Sequence, residues 1–148
     1  MSDLRELYQE LILDHNRNPR HCYCMENATL TAEGFNPLCG DQLSLYLKVD
    51  NDRIIDASFT GKGCAISTAS ASLMTDLLIG KTLEETHQLF NEFHHMMTAN
   101  EQVQTANLGK LTVLAGVKAF PSRVKCATLA WHTLDSAIVN KRDIVSTE

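Results

Sequence analysis

The sequence predicts an α+β fold in which helices pack on one face of a small antiparallel sheet of about three strands. A helical periodicity opens the chain, period-two alternation follows between residues 41 and 59, and helical patterns fill most of the remainder. Strands and helices do not alternate as they do in βαβ units, so a parallel sheet is not expected. With 148 residues and no internal repeat, the chain is expected to form a single domain, residues 1–148.

An amphipathic helix is predicted over residues 3–15, followed by a loop or irregular strand through residues 21–38. Pro19 ends the helical pattern, because the residue before a proline is disfavoured in the α region. The helix has one apolar face at spacings of three and four residues, made of Leu4, Leu7, Tyr8, Leu11 and Ile12.

A β-hairpin is predicted next, because apolar and polar residues alternate over residues 41–49 and again over residues 55–59. The polar segment DNDR at 50–53 separates the two runs and predicts the turn. A second helix is then expected from about Ala65 to about Ile79. Its small residues, STASAS, indicate close approach by another backbone.

Two more long helices and a short one are predicted in the rest of the chain. A T-x-x-E capping box at Thr82 and Glu85 marks the start of the third helix. Residues 100–107 are expected to form a surface loop and residues 110–117 a short helix. Ser122 is a candidate N-cap for the last helix. The expected buried faces are Leu89, Phe90, Phe93, Met96 and Met97 in the third helix, and Ala127, Trp131, Leu134 and Ile138 in the last.

Charge and hydropathy exclude two classes of partner. The formal net charge is -5 and no basic run occurs, so nucleic acid is not an expected partner. Acidic and polar residues interrupt the N-terminal apolar positions, unlike those of a signal peptide, and no apolar stretch approaches a membrane span. No membrane association is expected, and the protein is predicted to be cytoplasmic.

Five cysteines in a chain without an export signal indicate reduced thiols or metal ligands rather than disulfides. Cys39 lies in a loop before a strand, and Cys64 and Cys126 lie near predicted helix starts. A helix N-terminus offers amide donors and partial positive charge, which favour a thiolate. Thiolates are the form of cysteine that binds metals and attacks sulfur.

A metal site is the hypothesis for these cysteines. Residues two apart in an extended chain point the same way, so Cys39 and Asp41 are able to reach one point. Cys64 and Cys126 join them if the hairpin and the two helix starts converge. Three sulfurs and one carboxylate suit tetrahedral zinc and also an iron-sulfur cluster. The competing hypothesis is that the cysteines are small buried hydrophobes, since their wide spacing matches no compact zinc finger.

The other candidates have weaker support. Cys22 and Cys24 form a C-x-C segment beside a histidine, which is either a metal-binding element or an exposed loop. His94 and His95 lie in a helix rich in Phe and Met, where packing or surface exposure is favoured over metal ligation. His132 is expected at the surface, facing away from the core. No local signature supports a cysteine-histidine hydrolase.

Four separated blocks of the chain resemble the IscU/NifU-like family of iron-sulfur assembly proteins. They are LYQELILDHNRNPRH, NPLCGD, GKGCAISTASAS and FPSRVKCATLAWHTL. Within that family the chain resembles the SufU-type branch rather than the IscU scaffolds. The interval from Cys64 to Cys126 is longer than in the scaffolds, and Lys125 stands where the scaffolds carry histidine. The segment AFPSRVK also replaces their proline-rich chaperone-docking segment.

The resemblance implies an IscU/SufU-like domain with zinc held by Cys39, Asp41, Cys64 and Cys126. It also implies a pyridoxal-phosphate cysteine desulfurase of the SufS type as partner, whose persulfide sulfur passes to Cys39 and then to downstream assembly components. In such proteins a histidine of the desulfurase replaces this cysteine at the zinc. Position in a loop favours the same residue, since the other two cysteines are on helices. Arg123 is the candidate for steadying the anionic persulfide, with an ordinary salt bridge as its alternative role.

Three functions are open at this point. The first is a zinc-bound sulfur acceptor, which would make the protein a zinc-dependent sulfurtransferase. The second is a scaffold that assembles a [2Fe-2S] cluster on the same ligands, with iron or the cluster in place of zinc. The third is a non-catalytic, zinc-stabilised regulator of the desulfurase. The C-x-C segment at Cys22 and Cys24 departs from the family pattern, and either relays sulfur or is incidental.

Overall fold

A computed structural model describes residues 2–36, 40–98, 108–117, 121–138 and 145–146. The helices described there are α1 (Ser2–Arg17), α2 (Ala65–Leu78), α3 (Leu83–Thr98) and α4 (Pro121–Ile138), with a 3-10 segment at Gly109–Val117. The strands are β1 (Leu30–Asn36), β2 (Asp41–Asp50), β3 (Arg53–Lys62) and β4 (Val145–Ser146). The expected α+β class is confirmed.

The strands form one sheet in the order β3, β2, β1, β4. Strands β1, β2 and β3 are antiparallel neighbours, and β4 adds a short parallel pairing to β1. Asn51 and Asp52 form the turn between β2 and β3 with φ values of 52 and 62, the positive values that a type I′ turn requires. The predicted hairpin and its turn are confirmed.

Strand β1 occupies part of the segment 21–38, which the sequence predicts as a loop or irregular strand. Its buried positions include Ala32, Gly34 and Asn36, so small and polar residues stand where apolar ones would have produced a clear alternation. A Cβ on Gly34 would collide with the Thr133 side chain of α4. This glycine therefore lets α4 lie directly against β1.

The helices that the structure describes cover one face of the sheet. Helix α4 packs on β1 and β2, and α2 packs on β3 and on α4. Leu43, Leu45 and Leu47 of β2 are buried under this helical layer, while Ser44 and Tyr46 between them are half-buried. Phe93 of α3 stacks on Trp131 of α4, with ring centroids 4.8 Å apart. The core therefore lies between the sheet and the helices.

The small residues of α2 allow close approach by other backbone segments, as the sequence predicts. Ser70 Oγ donates a hydrogen bond to the Ala127 carbonyl oxygen of α4 at 2.6 Å. Ser72 Oγ accepts the Arg20 backbone N–H at 2.8 Å and lies 2.6 Å from His15 Nδ1 at the end of α1. Helix α2 is thus hydrogen-bonded to α4 on one side. On the other side it is hydrogen-bonded to the end of α1 and to the segment that follows α1.

The helix ends follow the predicted signals with one exception. The capping box is confirmed, because Glu85 N–H donates to Thr82 Oγ1 at 3.1 Å and Thr82 N–H donates to Glu85 Oε1 at 2.9 Å. Gly80, with φ of 93, follows the end of α2. The exception is Ser122, since α4 already includes Pro121 and Ser122 is not its N-cap. Proline suits the first helical position because the amide that it lacks has no intrahelical partner there.

The 3-10 segment Gly109–Val117 corresponds to the short helix predicted over residues 110–117. Leu108 and Leu111 anchor it in the hydrophobic core. The loop predicted over residues 100–107 lies outside the described residues. No helix in the described ranges has both the length and the apolar character needed to span a membrane.

His132 contradicts the expectation that it is a surface residue. Its ring is half-buried between α3 and α4, with centroid distances of 5.6 Å to Phe90 and 5.5 Å to His94. Burial lowers the pKa of His132 below its usual value, and the neighbouring His94 lowers it further, while Asp135 acts in the opposite direction. His94 itself stacks on Phe90, which is the first of the two roles, packing or surface exposure, that the sequence favours over metal ligation.

We predict that His132 makes the free energy of unfolding fall in acid. A histidine whose pKa is lower in the folded than in the unfolded chain binds its proton more readily on unfolding. Its contribution is therefore present above the unfolded pKa, near 6.5, and is lost as the pH falls through that value towards the folded pKa. Urea unfolding at a series of pH values should show a smaller acid loss for His132→Gln than for wild type. His95→Gln, at an exposed position of α3, is the control, and an equal loss in His132→Gln and wild type would contradict the prediction.

Candidate metal centre

Three side chains that the sequence proposes as ligands meet at one end of the sheet. Asp41 is the first residue of β2, Cys64 is the N-cap of α2, and Cys126 lies in the second turn of α4. Their ligand atoms, one carboxylate oxygen and two Sγ atoms, all lie within 4.8 Å of one another. Within the described part of the chain, this is the only group of three or more His, Cys, Asp or Glu side chains with that geometry.

The chemistry and spacing of this group fit a zinc ion. Ligand atoms placed tetrahedrally at usual zinc distances are about 3.4 to 3.8 Å apart, so no pair has to close by more than about 1.4 Å. Asp41 and Cys126 are buried and Cys64 is half-buried, so a cation held by them would be open to its surroundings mainly at Cys64. Three protein ligands leave one tetrahedral position for a fourth. The same sulfur-rich set also suits iron.

The Asp41 carboxylate is held at both of its oxygens. The side chain is fully buried, and Oδ1 accepts the backbone N–H of Cys64 at 2.9 Å. Asn36 Nδ2 donates to Oδ2 at 3.4 Å. A buried carboxylate is costly without such partners. Since each carboxylate oxygen accepts about two bonds, both retain capacity for a cation.

Cys64 stands where serine, threonine, aspartate or asparagine usually caps a helix. Its backbone is extended, with φ of -71 and ψ of 170, and its Sγ accepts the Ser67 backbone N–H at 3.4 Å. This amide and the positive end of the helix dipole complement negative charge on sulfur. The first turn of α2 therefore positions two ligands, Cys64 through its side chain and Asp41 through the amide that binds it.

Gly63 leaves the space in which the Asp41 carboxylate approaches α2. A Cβ at this position would lie 2.8 Å from Asp41 Oδ1 and 3.2 Å from Ser67 Oγ. The first distance is shorter than a normal contact, so any larger residue would displace the carboxylate or the first turn of α2. The glycine next to Cys64 is thus required by the close approach of two ligand-bearing segments.

The remaining residues of the predicted site are Cys39 and Arg123. Cys39 lies outside the described residues, and the next residue, Gly40, has φ of 71, a conformation that side-chain-bearing residues adopt only with strain. Arg123 is exposed in the first turn of α4, three residues before Cys126. Residues three apart on a helix are neighbours on its surface, so Arg123 stands beside the ligand-bearing turn.

Cys22 and Cys24 are not part of the ligand group. Both are exposed, in a segment whose backbone pairs with Phe59 on β3. The hydroxyl of Tyr23 donates to Asp56 Oδ2 at 2.6 Å, and this bond raises the pKa of Tyr23. The described residues favour the exposed-loop interpretation of the C-x-C segment.

Asn36 touches two of the ligands, although the sequence patterns do not single it out. Its fully buried side chain places Nδ2 3.4 Å from Asp41 Oδ2 and 3.7 Å from Cys126 Sγ. The sequence does not predict this role, because β1 lacks a clear apolar alternation. In the antiparallel register of β1 and β2, Asn36 is directly opposite Asp41. If β1 is recognised as a strand that ends five residues before Asp41, its pairing with β2 predicts that Asn36 lies next to Asp41.

Comparison with known proteins identifies relatives across nearly the whole chain. The family model described as NifU-like N terminal domain matches residues 7–127. The iron-sulfur cluster assembly scaffold protein IscU of Streptococcus pyogenes serotype M1 is 44% identical over 138 residues, which are 93% of this chain and 86% of that protein. The zinc-dependent sulfurtransferase SufU of Bacillus subtilis strain 168 is 39% identical over 140 residues, 95% of each chain.

A solved structure gives the same result for the fold. The crystal structure of SufU from Fervidobacterium islandicum AW-1, described as a scaffold protein for iron-sulfur cluster assembly in the SUF system, has a TM-score of 0.83 and 38% identity. The similarity covers 87% of this chain and 94% of that one. The sheet and helices that position the three ligand side chains are thus those of a known assembly-protein fold.

We predict that Gly63→Ala weakens metal binding while leaving the chain folded. The added methyl group displaces Asp41 or Ser67, and disturbance of groups that orient ligands usually costs about 10- to 100-fold in metal affinity. Competition with a chromophoric chelator measures the zinc affinity, and circular dichroism checks the fold. Gly109→Ala is the control for the general cost of replacing a glycine outside the ligand group, because its φ of 54 disfavours a side chain although nothing lies within 4 Å of a Cβ added there. Equal zinc affinity in Gly63→Ala and wild type would show that the spacing is not needed.

Proposed function

Because the chain belongs to the NifU-like N-terminal domain family, in its SufU-type branch, we propose that it is a sulfur acceptor in iron-sulfur cluster assembly. Zinc is held by Cys39, Asp41, Cys64 and Cys126. The observation that carries the proposal is the approach of three of these ligand atoms to within 4.8 Å of one another. The name of the Bacillus subtilis relative, a zinc-dependent sulfurtransferase, supports both the metal and the reaction. The sulfur donor is a pyridoxal-phosphate cysteine desulfurase of the SufS type, and downstream assembly components receive the sulfur.

Cys39 is the acceptor thiol in this proposal. The other two cysteines are fixed in the structure. Cys64 is the N-cap of α2, and Cys126 lies on α4 with only 2% of the residue exposed. Its burial leaves the Cys126 sulfur almost no surface for a persulfide carried by another protein. Cys39, in contrast, belongs to the connection between β1 and β2 and is separated from Asp41 only by Gly40. It is therefore close in sequence to the ligand Asp41 and lies outside the helices that the structure describes.

The proposed reaction is a thiol-persulfide exchange. The Cys39 thiolate attacks the outer sulfur of the desulfurase persulfide and forms a new S–S bond. The S–S bond of the desulfurase breaks, and its electron pair leaves with the desulfurase cysteine as a thiolate, so no external oxidant is needed. Bound zinc supplies a Lewis acid that favours the thiolate form of its cysteine ligands. Arg123 holds the persulfide anion formed on Cys39.

We predict that Cys39→Ala abolishes sulfur acceptance without unfolding the protein. After incubation with a desulfurase and cysteine, mass spectrometry should detect added sulfur on wild type and none on Cys39→Ala, and stimulation of the desulfurase should disappear as well. Cys22→Ala and Cys24→Ala are matched controls, because both remove an exposed thiol outside the ligand group, and they should behave like wild type. Full stimulation by Cys39→Ala would instead favour a regulator that carries no sulfur.

We predict that Arg123→Ala slows sulfur transfer about tenfold, the effect of losing about 1.4 kcal/mol from a charge-assisted hydrogen bond. Its zinc affinity should not change, because Arg123 contributes no ligand. Arg123→Lys keeps the charge and should recover part of the rate. Arg17→Ala removes an exposed arginine of α1 and is the control. A wild-type transfer rate in Arg123→Ala would assign Arg123 to an ordinary surface interaction.

A scaffold for a [2Fe-2S] cluster on the same residues is the second candidate, favoured by the name of the Streptococcus pyogenes relative. Elemental analysis of the purified protein, followed by anaerobic incubation with ferrous iron and sulfide, separates the two functions. Tightly held zinc with no cluster formed supports the sulfur acceptor. A stoichiometric cluster with visible absorption supports the scaffold.

A further inference from the structure

We infer that Asn36 is a positioning residue of the metal centre, whose side-chain amide orients Asp41 and donates a hydrogen bond to the Cys126 sulfur. The inference rests on the proposed function in that the ligand group must hold a metal. Its own basis is the contact of one buried amide nitrogen with two ligands, at 3.4 Å from Asp41 Oδ2 and 3.7 Å from Cys126 Sγ.

The chemistry of the neighbours fixes which way the Asn36 amide points. A carboxylate and a thiolate are acceptors, whereas the amide oxygen of asparagine is also an acceptor. A flipped amide would place its oxygen against two anionic groups. The Nδ2 group has two hydrogens, so it is able to donate to Asp41 and to Cys126 at the same time. Asn36 therefore bridges a ligand on β2 and a ligand on α4 without competition between the two bonds.

Asn36 also completes the constraint on the Asp41 carboxylate. Oδ1 is bound by the Cys64 amide at 2.9 Å and Oδ2 by Asn36, so rotation of the carboxylate about its bond to Cβ breaks one bond or the other. Asn36 and Asp41 are paired across β1 and β2, and the Asn36 side chain is fully buried. The carboxylate belongs to β2. Its orientation is fixed by donors from two other elements, the N-terminus of α2 and the end of β1.

The electrostatics of the site favour a neutral donor at this position. A divalent cation held by the thiolates of Cys64 and Cys126 and the Asp41 carboxylate has a net negative formal charge, and Asp41 and Cys126 are buried. Amide hydrogen bonds to the ligand atoms spread that charge at a place that water does not reach. Hydrogen bonds to a coordinated sulfur also stabilise its lone pairs, which raises the energy of charge transfer from sulfur to an open-shell metal.

The test compares Asn36→Leu, which removes the donor and keeps the number and branching of the side-chain heavy atoms, with wild type. Zinc affinity, measured by chelator competition, should fall about 10- to 100-fold. In the cobalt-substituted protein, the sulfur-to-metal charge-transfer band should shift to lower energy, a change that a purely structural role of Asn36 would not produce. Thr75→Val is the matched control, since Thr75 is equally buried and donates only within α2, to the Ala71 and Ser72 carbonyl oxygens. It should leave affinity and spectrum unchanged.

A measurement on the wild-type chain covers the case in which Asn36→Leu does not fold. With NMR-active cadmium in the site, scalar coupling between an Asn36 side-chain proton and the metal through the Cys126 sulfur is expected. Absence of this coupling overturns the inference, as does an Asn36→Leu variant with wild-type affinity and spectrum. A wild-type chain that holds no zinc overturns the metal site itself, whereas wild-type zinc binding with an unaffected Asn36→Leu overturns the inference alone.

Discussion

The hydrogen bond from the Cys64 amide to the buried Asp41 carboxylate is the interaction on which the candidate site depends. It joins the start of β2 to the N-terminus of α2 at 2.9 Å. The carboxylate that accepts it is fully buried, so its charge has no contact with bulk water. Such a charge is stable only if hydrogen-bonded or paired with a cation. The Cys64 amide supplies the hydrogen bond. The sulfur atoms of Cys64 and Cys126 lie within 4.8 Å of the carboxylate, where they would hold a cation next to it. Gly63 makes the contact sterically possible.

Cys126 joins this pair because small residues let α4 lie close to its neighbours. Ser70 of α2 donates to the carbonyl of Ala127, the residue that follows Cys126, so the two helices are bonded next to the ligand. On its other side, α4 rests against β1 at Gly34, where any side chain would meet Thr133. The position of the Cys126 sulfur is thus set by backbone approach distances. A site built this way tolerates little change in residue size around it.

The parts of this arrangement that depend on local patterns were predictable from sequence. The hairpin, the start of α2 after Cys64 and the capping box at Thr82 each follow from neighbouring residues. The candidate ligands Asp41, Cys64 and Cys126 follow from their positions at a strand start and near two helix starts. The role of Asn36 was not predictable in the same way. It depends on the register between β1 and β2. The strand β1 is itself hard to recognise in the sequence, because the close packing of α4 requires small residues at its buried positions. His132 was misjudged for a related reason, since its burial comes from α3 and not from its own helix.

The candidate ligands combine a carboxylate with cysteine sulfurs, and this combination affects how readily a bound metal exchanges its ligands. Structural zinc sites in proteins are commonly closed by four cysteines or histidines, whereas a carboxylate is a harder ligand that exchanges more readily. Here the carboxylate is held by hydrogen bonds from Cys64 and Asn36 that do not require the metal, so these bonds keep the carboxylate oriented whether or not a fourth ligand is bound. In the proposed function that fourth ligand is Cys39, which also accepts the sulfur. Under that proposal, a reactive thiol two residues before Asp41 in the chain, with the other three ligands carried by a strand and two helices, allows chemistry at one ligand without loss of the site.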